Sequence, residues 1–164
     1  MITISDTTPI HYLIILERAE ILPKIFGEII IPEAVAEEMM HPKAPPEVRN
    51  WIASPPEWVH IRSPRNIYLP TLKGLGKGEI AAIALAIEEQ ADAVLMDDRE
   101  AIREGKSLNL KIFTTLSVLE IAAIQNLLNF EETLEELSET SFRMPPDEIK
   151  NEYLRRDSQR RSQQ

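Results

Sequence analysis

Three groups of acids in this 164-residue chain stand where they could do chemistry. Asp6 follows the alternating, β-branched run Ile2-Thr3-Ile4-Ser5, and the pair Asp97-Asp98 follows the apolar run Ala93-Val94-Leu95-Met96. Glu79 comes directly after Gly74-Leu75-Gly76-Lys77-Gly78, which holds three of the five glycines and implies a tight turn or a close approach of the backbone to something. Acids at the carboxyl ends of parallel strands lie where an α/β sheet receives its ligands. Carboxylates converging there repel one another and raise each other's pKa unless a cation neutralises them. There is no cysteine, and the histidines at 11, 41 and 60 show no ligand spacing. An oxygen-only donor set of this kind selects a hard ion, Mg²⁺ or Mn²⁺. Each acid has a plainer role as a helix cap or a partner of the helix dipole. Their coincidence is what points to a metal site.

The elements that must position these acids follow from periodicity. Residues 2–5, Ile29-Ile30-Ile31, Trp58-Val59-His60-Ile61, 93–96 and Lys111-Ile112-Phe113 read as short strands. Between them lie helical patterns from Thr7-Thr8-Pro9 to Leu16, from Glu20 to Phe26, from Pro32 to Met40, around Val48, Trp51 and Ile52, from Glu79 to Glu89, from Ala101 to Ser107, and from Thr115 to Ile124. Alternation of strand and helix with short connections predicts a parallel central sheet with helices on both faces. Residues 41–70 are proline-rich and irregular. Two amphipathic helices, Phe130 to Leu137 and Pro146 to Arg156, follow, and Asp157 to Gln164 lack apolar side chains and are expected to fray.

Lysine and arginine total 18 against 27 aspartates and glutamates, a formal charge of −9. A protein that coats nucleic acid by bulk charge needs the opposite balance. Local basic groups remain: Arg62, Arg65, Lys73 and Lys77 lead into Glu79, and Arg99 and Arg103 follow Asp97. These either grip phosphates or are ordinary solvated surface charges. Thr7, Thr115 and Ser117, near strand ends, either orient a water or ligand or cap the helices they open. The glycine cluster is not a P-loop, because Lys77 is followed by glycine. With no basic leader and no apolar run of roughly 18 residues, the expected location is the cytoplasm, with no membrane contact.

Five segments in order resemble the PIN-domain family, in the branch related to toxin ribonucleases of toxin–antitoxin modules. They are Ile4-Ser5-Asp6-Thr7-Thr8-Pro9 with Tyr12-Leu13, then Ile31-Pro32-Glu33-Ala34-Val35-Ala36-Glu37-Glu38, then Leu75-Gly76-Lys77-Gly78-Glu79 with Ala82-Ile83, then Val94-Leu95-Met96-Asp97-Asp98-Arg99, then Thr114-Thr115-Leu116-Ser117-Val118-Leu119. The resemblance spans residues 1 to about 125. It implies a three-layer α/β PIN-like fold, with a nuclease domain over residues 1–128, a helical extension over 129–156 and a tail over 157–164. The implied activity is divalent-metal-dependent endoribonuclease, the toxin of a toxin–antitoxin module, with Asp6, Glu38, Glu79 and Asp97 as its acids. Asp6, Glu79, Asp97 and Asp98 are then the expected Mg²⁺ or Mn²⁺ ligands, and Thr7, Lys77, Arg99 and Thr115 the expected substrate contacts. Glu37 competes with Glu38, and Asp98 with Asp97, for the inward position. RNA, an antitoxin protein and a second copy of the chain are the implied partners. Glutamate at 79 and the doubled acids depart from the commonest toxin pattern. They leave open a catalytically silent PIN fold that only binds RNA or protein.

Overall fold

The computed structural model describes residues 1–66, 70 and 73–164; part of the proline-rich stretch, 67–69, therefore lies outside the described residues. The chain divides into two compact units, Met1–Thr115 and Leu116–Gln164.

The first unit is built on five parallel strands, β1 (Thr3–Ser5), β2 (Ile29–Pro32), β3 (Val59–Arg62), β4 (Ala93–Leu95) and β5 (Ile112–Phe113). Their order across the sheet is β3-β2-β1-β4-β5. Helices α1 (Thr7–Ile15) and α2 (Ile21–Phe26) connect β1 to β2, and α3 (Glu33–Met39) and α4 (Pro46–Ala53) connect β2 to β3. The path then reverses: α5 (Lys77–Glu88) returns the chain to β4, and α6 (Arg99–Ser107) carries it to β5. Crossovers running in opposite directions place helices on both faces of the sheet, and α3 and α5 meet each other directly. The sheet therefore has the α/β layering expected from the alternation of elements. Its switch point falls between β1 and β4.

Burial explains the strand sequences. β1, β2 and β4 are buried along their whole length, as central strands covered on both faces must be, and Ile29-Ile30-Ile31 is β-branched throughout. Ile4, Ile30 and Val94 of the sheet pack with Ala82, Ile83, Leu85 and Ala86 of α5 and Ala101 of α6. Alanines on α5 let that helix lie close to the sheet, which brings its first turn to the strand ends.

The second unit contains most of α7 (Thr115–Ile124), with α8 (Phe130–Ser138) and α9 (Asp147–Ser162). Here the expectation of a frayed tail from Asp157 is corrected, because α9 continues to Ser162. Ionic pairing replaces the missing apolar contacts. Asp157 is 3% exposed and accepts from Arg160 and from Arg161 Nε, the latter at 2.9 Å, while Arg161 also reaches Glu131 on α8 at 3.1 Å. Pairs three and four residues apart lie on one helix face, where they support helix that apolar burial does not. No helix among the described residues is long and apolar enough to cross a membrane.

Candidate active site

The carboxyl ends of β1 and β4 lie side by side at the switch point. The Asp6 N–H donates to the Leu95 carbonyl at 2.9 Å, and the Met96 N–H donates to the Phe113 carbonyl at 3.0 Å. The first residues beyond these strands are therefore held by sheet hydrogen bonds, so acids placed there have fixed backbones.

Asp6 is 5% exposed and occupies the N-cap position of α1, yet its side chain makes no capping hydrogen bond. Capping does not explain it. Burial, with the charges of Glu79, Glu38 and Asp97 adding to it, pushes its pKa up to about 7; a hydrogen bond from the Thr7 N–H works in the opposite direction.

Glu38 is the member of its doublet that enters the cluster. Val35 and Met39 bury one stripe of α3, and Glu38, at that stripe's edge, accepts from Thr7 Oγ1 at 2.5 Å. Glu37, 100° away round the helix, is exposed as Glu38 is, so the Thr7 bond and not burial sets Glu38 apart.

Glu79 sits in the first turn of α5. One oxygen accepts the Gly76 N–H at 3.3 Å, a capping contact, while Oε2 is buried with no hydrogen-bond donor. The carboxyl is held above its ordinary pKa mainly by burial, then by the neighbouring Asp98, with Glu38 contributing less. Glu79 and Asp98 face each other as two acceptors. Only a shared proton or a cation can reconcile them.

The Asp97-Asp98 pair divides its work. Asp98 is exposed and caps α6 through an Ala101 N–H bond of 2.9 Å, so the plainer reading holds for it while its charge still bears on Glu79. Asp97 accepts twice from Thr115, from the N–H at 2.9 Å and from Oγ1 at 2.5 Å. Burial raises its pKa, and both Thr115 bonds oppose that rise. Thr115 itself is fully buried, and its hydroxyl is committed to Asp97 instead of facing a ligand. Thr7 likewise donates its hydroxyl to Glu38.

Thr115→Val is expected to cost about 1.5–3 kcal/mol of stability, the range for a hydrogen bond to a charged group, because the valine cannot donate to a half-buried carboxylate. Urea denaturation measures this. A loss below about 0.5 kcal/mol, the lower end for one neutral hydrogen bond, would show that Asp97 finds another donor.

The basic residues are placed less decisively. Lys77 and Arg99 are exposed, at the first turns of α5 and α6. Arg62 pairs with Glu89 at 3.4 Å and Arg103 with Glu100 at 3.5 Å. Among the described residues, none of Asp6, Glu38, Glu79, Asp97 or Asp98 has a basic ion-pair partner.

The glycine cluster has two separate explanations. Gly74 turns the chain with φ +94°, and Gly78 permits a close approach, since a Cβ there would lie 2.7 Å from Glu38 Oε1. The Gly78–Glu38 contact and the Thr115 clamp on Asp97 are missing from any reading of strand-end acids alone. The only advance signals are the density of glycines and a threonine just after a strand.

A family model, DUF3368, described as a PIN domain, matches residues 2–158. The chain belongs to the PIN-domain family. PIN domains are generally nucleases, and they typically use divalent metal ions. Among solved structures, the PIN-domain chain is similar to a PilT N-terminus domain protein from the hyperthermophilic archaeon Sulfolobus solfataricus P2. The two are 14% identical, with 88% of this chain and 100% of that one covered and a TM-score of 0.49. No curated protein matches the chain.

The residues of this PIN domain suit a hard divalent cation. Their donors are all oxygens, and among the described residues no basic group pairs with them and the buried Glu79 Oε2 has no donor. Among the described residues, no three acidic, histidine or cysteine side chains are already gathered closely enough to hold one ion.

Proposed function

We propose that this PIN domain is a divalent-metal-dependent endoribonuclease, the toxin component of a toxin–antitoxin module, using Mg²⁺ or Mn²⁺. The observation that carries the proposal is Asp6: a buried carboxyl with a pKa of about 7, at the sheet's switch point, faced by Glu38, Glu79 and Asp97 with no basic partner among the described residues. Burying such a group against three like charges costs the fold stability, and a bound cation offsets that cost.

Asp6 and Asp97 would hold the ion, with Glu79 Oε2 beside them, and Glu38 would hold a second or support the first. A bound divalent ion supplies an activated water and neutralises charge on the phosphorus oxygens. Thr115 keeps Asp97 oriented through two hydrogen bonds, so that the carboxylate need not reorganise when ligand arrives. Thr7 does the same for Glu38. Lys77 and Arg99 would contact phosphates flanking the scissile bond, because each extends from the first turn of a helix that also carries, or is capped by, a site acid. An antitoxin protein and a second copy of the chain are the proposed protein partners, and the cytoplasm the proposed location.

End-labelled single-stranded RNA incubated with the purified protein is expected to be cleaved with Mn²⁺ or Mg²⁺, and left intact when EDTA replaces the metal. The competing reading, a silent PIN fold, draws on the double engagement of Asp97 by Thr115, which leaves that carboxylate less free to bind an ion. Calorimetric titration separates them. No heat of binding at millimolar Mn²⁺, together with intact RNA, would overturn the nuclease proposal in favour of the silent one.

A further inference from the structure

We infer that Gly78 and Thr7 are positioning residues that together form a seat for the Glu38 carboxylate, fixing it against Asp6 and Glu79. The inference rests on the nuclease reading for its consequence but on separate geometry for its substance. Thr7, on α1, donates its hydroxyl to Glu38 Oε2 at 2.5 Å. Gly78, buried in the first turn of α5, leaves open the space that Glu38 Oε1 occupies on the other side. An added Cβ would meet that oxygen at 2.7 Å and Val35 Cγ2 at 3.1 Å. Three helices thus define the position of one side chain. Without the seat, a glutamate otherwise exposed to water on α3 would sample many rotamers.

Glycine within a helix is disfavoured relative to alanine, because it loses more backbone freedom on folding and packs nothing. Its φ here is not in the left-handed region, so no backbone requirement selects it. The remaining reason is the close approach of α3, of the Glu38 carboxylate first and of Val35 second. The atom in the way is the end of a flexible side chain, so Gly78→Ala should displace Glu38 and leave the helix standing, with only a few tenths of an ångström asked of Val35.

The test is a double-mutant cycle read by Mn²⁺ calorimetry, joined to crystal structures of wild type and Gly78→Ala without metal. Gly78→Ala, Thr7→Val and Glu38→Ala are each expected to weaken Mn²⁺ binding roughly tenfold, the lower end for loss of a group that supports a metal site. Combining Gly78→Ala or Thr7→Val with Glu38→Ala should add nothing, because each acts through the same carboxylate. The variant crystal should show Glu38 withdrawn from Thr7 Oγ1. Multiplicative losses in the cycle, or a Gly78→Ala crystal in which Glu38 keeps its bond to Thr7 while α5 shifts, would overturn the inference. If Glu38 is displaced in the crystal but even the wild type binds no Mn²⁺, the seat stands and the nuclease reading falls.

Discussion

Replacing Asp6 with asparagine is expected to reduce metal-dependent RNA cleavage on the order of 10³-fold while making the apo-protein more stable at pH 8. The first part follows from charge. Asparagine keeps the volume and the sheet-anchored backbone but removes the negative charge that would bind the cation, and several kcal/mol of transition-state stabilisation correspond to about three decades in rate. The second part separates a site residue from a structural one. Asp6 is buried without capping α1 and among three like charges, so the folded state gains when its charge is removed. A variant that loses activity because it unfolds would melt lower. This one should melt higher at pH 8, and wild-type cleavage by the purified variant would show that the nuclease signal comes from another protein.

That combination of effects also shows which parts of the site were readable from residue order. Strand-end acids are legible because a strand is short, β-branched and sharply terminated. Asp6 and Asp97 follow such runs, and the sheet places both at its switch point. Glu38 was separable from Glu37 only through the helical period, with Val35 and Met39 marking the buried stripe, and the Thr7 bond agrees with that choice. The Asp97-Asp98 doublet resisted because no period distinguishes two residues in a strand-to-helix turn. There the arrangement of donors decides: Ala101 takes Asp98 for a cap, and Thr115, 18 residues away, takes Asp97.

The remaining features depend on which atoms meet across the fold. The space above Gly78 is filled by a side chain 40 positions earlier in the chain, and glycine carries no sign of what lies against it. Composition misled at the carboxyl end for a related reason. Residues 157–164 hold no apolar side chain, but Asp157 is buried and accepts from the guanidinium groups of Arg160 and Arg161. Helix there is held by charge pairing that a count of hydrophobic residues does not register.

Apo-protein stability is expected to fall as pH rises from 4 to 8, and Mn²⁺ is expected to reverse that trend. An unfolded aspartate titrates near 3.8 and folded Asp6 near 7, so between those values the folded state binds the proton that the unfolded state has released. Stability therefore declines through this window and levels off above it, by an amount on the order of a few kcal/mol for a shift this large. Glu79 and Asp97 are raised as well and act in the same sense. His11, lowered from 6.5 mainly by burial, acts oppositely within the window, so the difference between wild type and Asp6→Asn is the measurement that isolates Asp6. Glu88 and Glu152, held below 4.5 by the Arg65 N–H and by Arg155, contribute only at the acid end. Metal competes with protons for the same carboxylates, so its stabilisation should be small at pH 5 and reach about 2.7 kcal/mol at pH 8 when Mn²⁺ is near 100 times its Kd. Thermal melts across this range, in EDTA and in Mn²⁺, give both curves. A wild-type Tm that climbs with pH in EDTA as steeply as that of Asp6→Asn would mean that Asp6 carries no burial penalty, and the reason for placing a cation beside it would be lost.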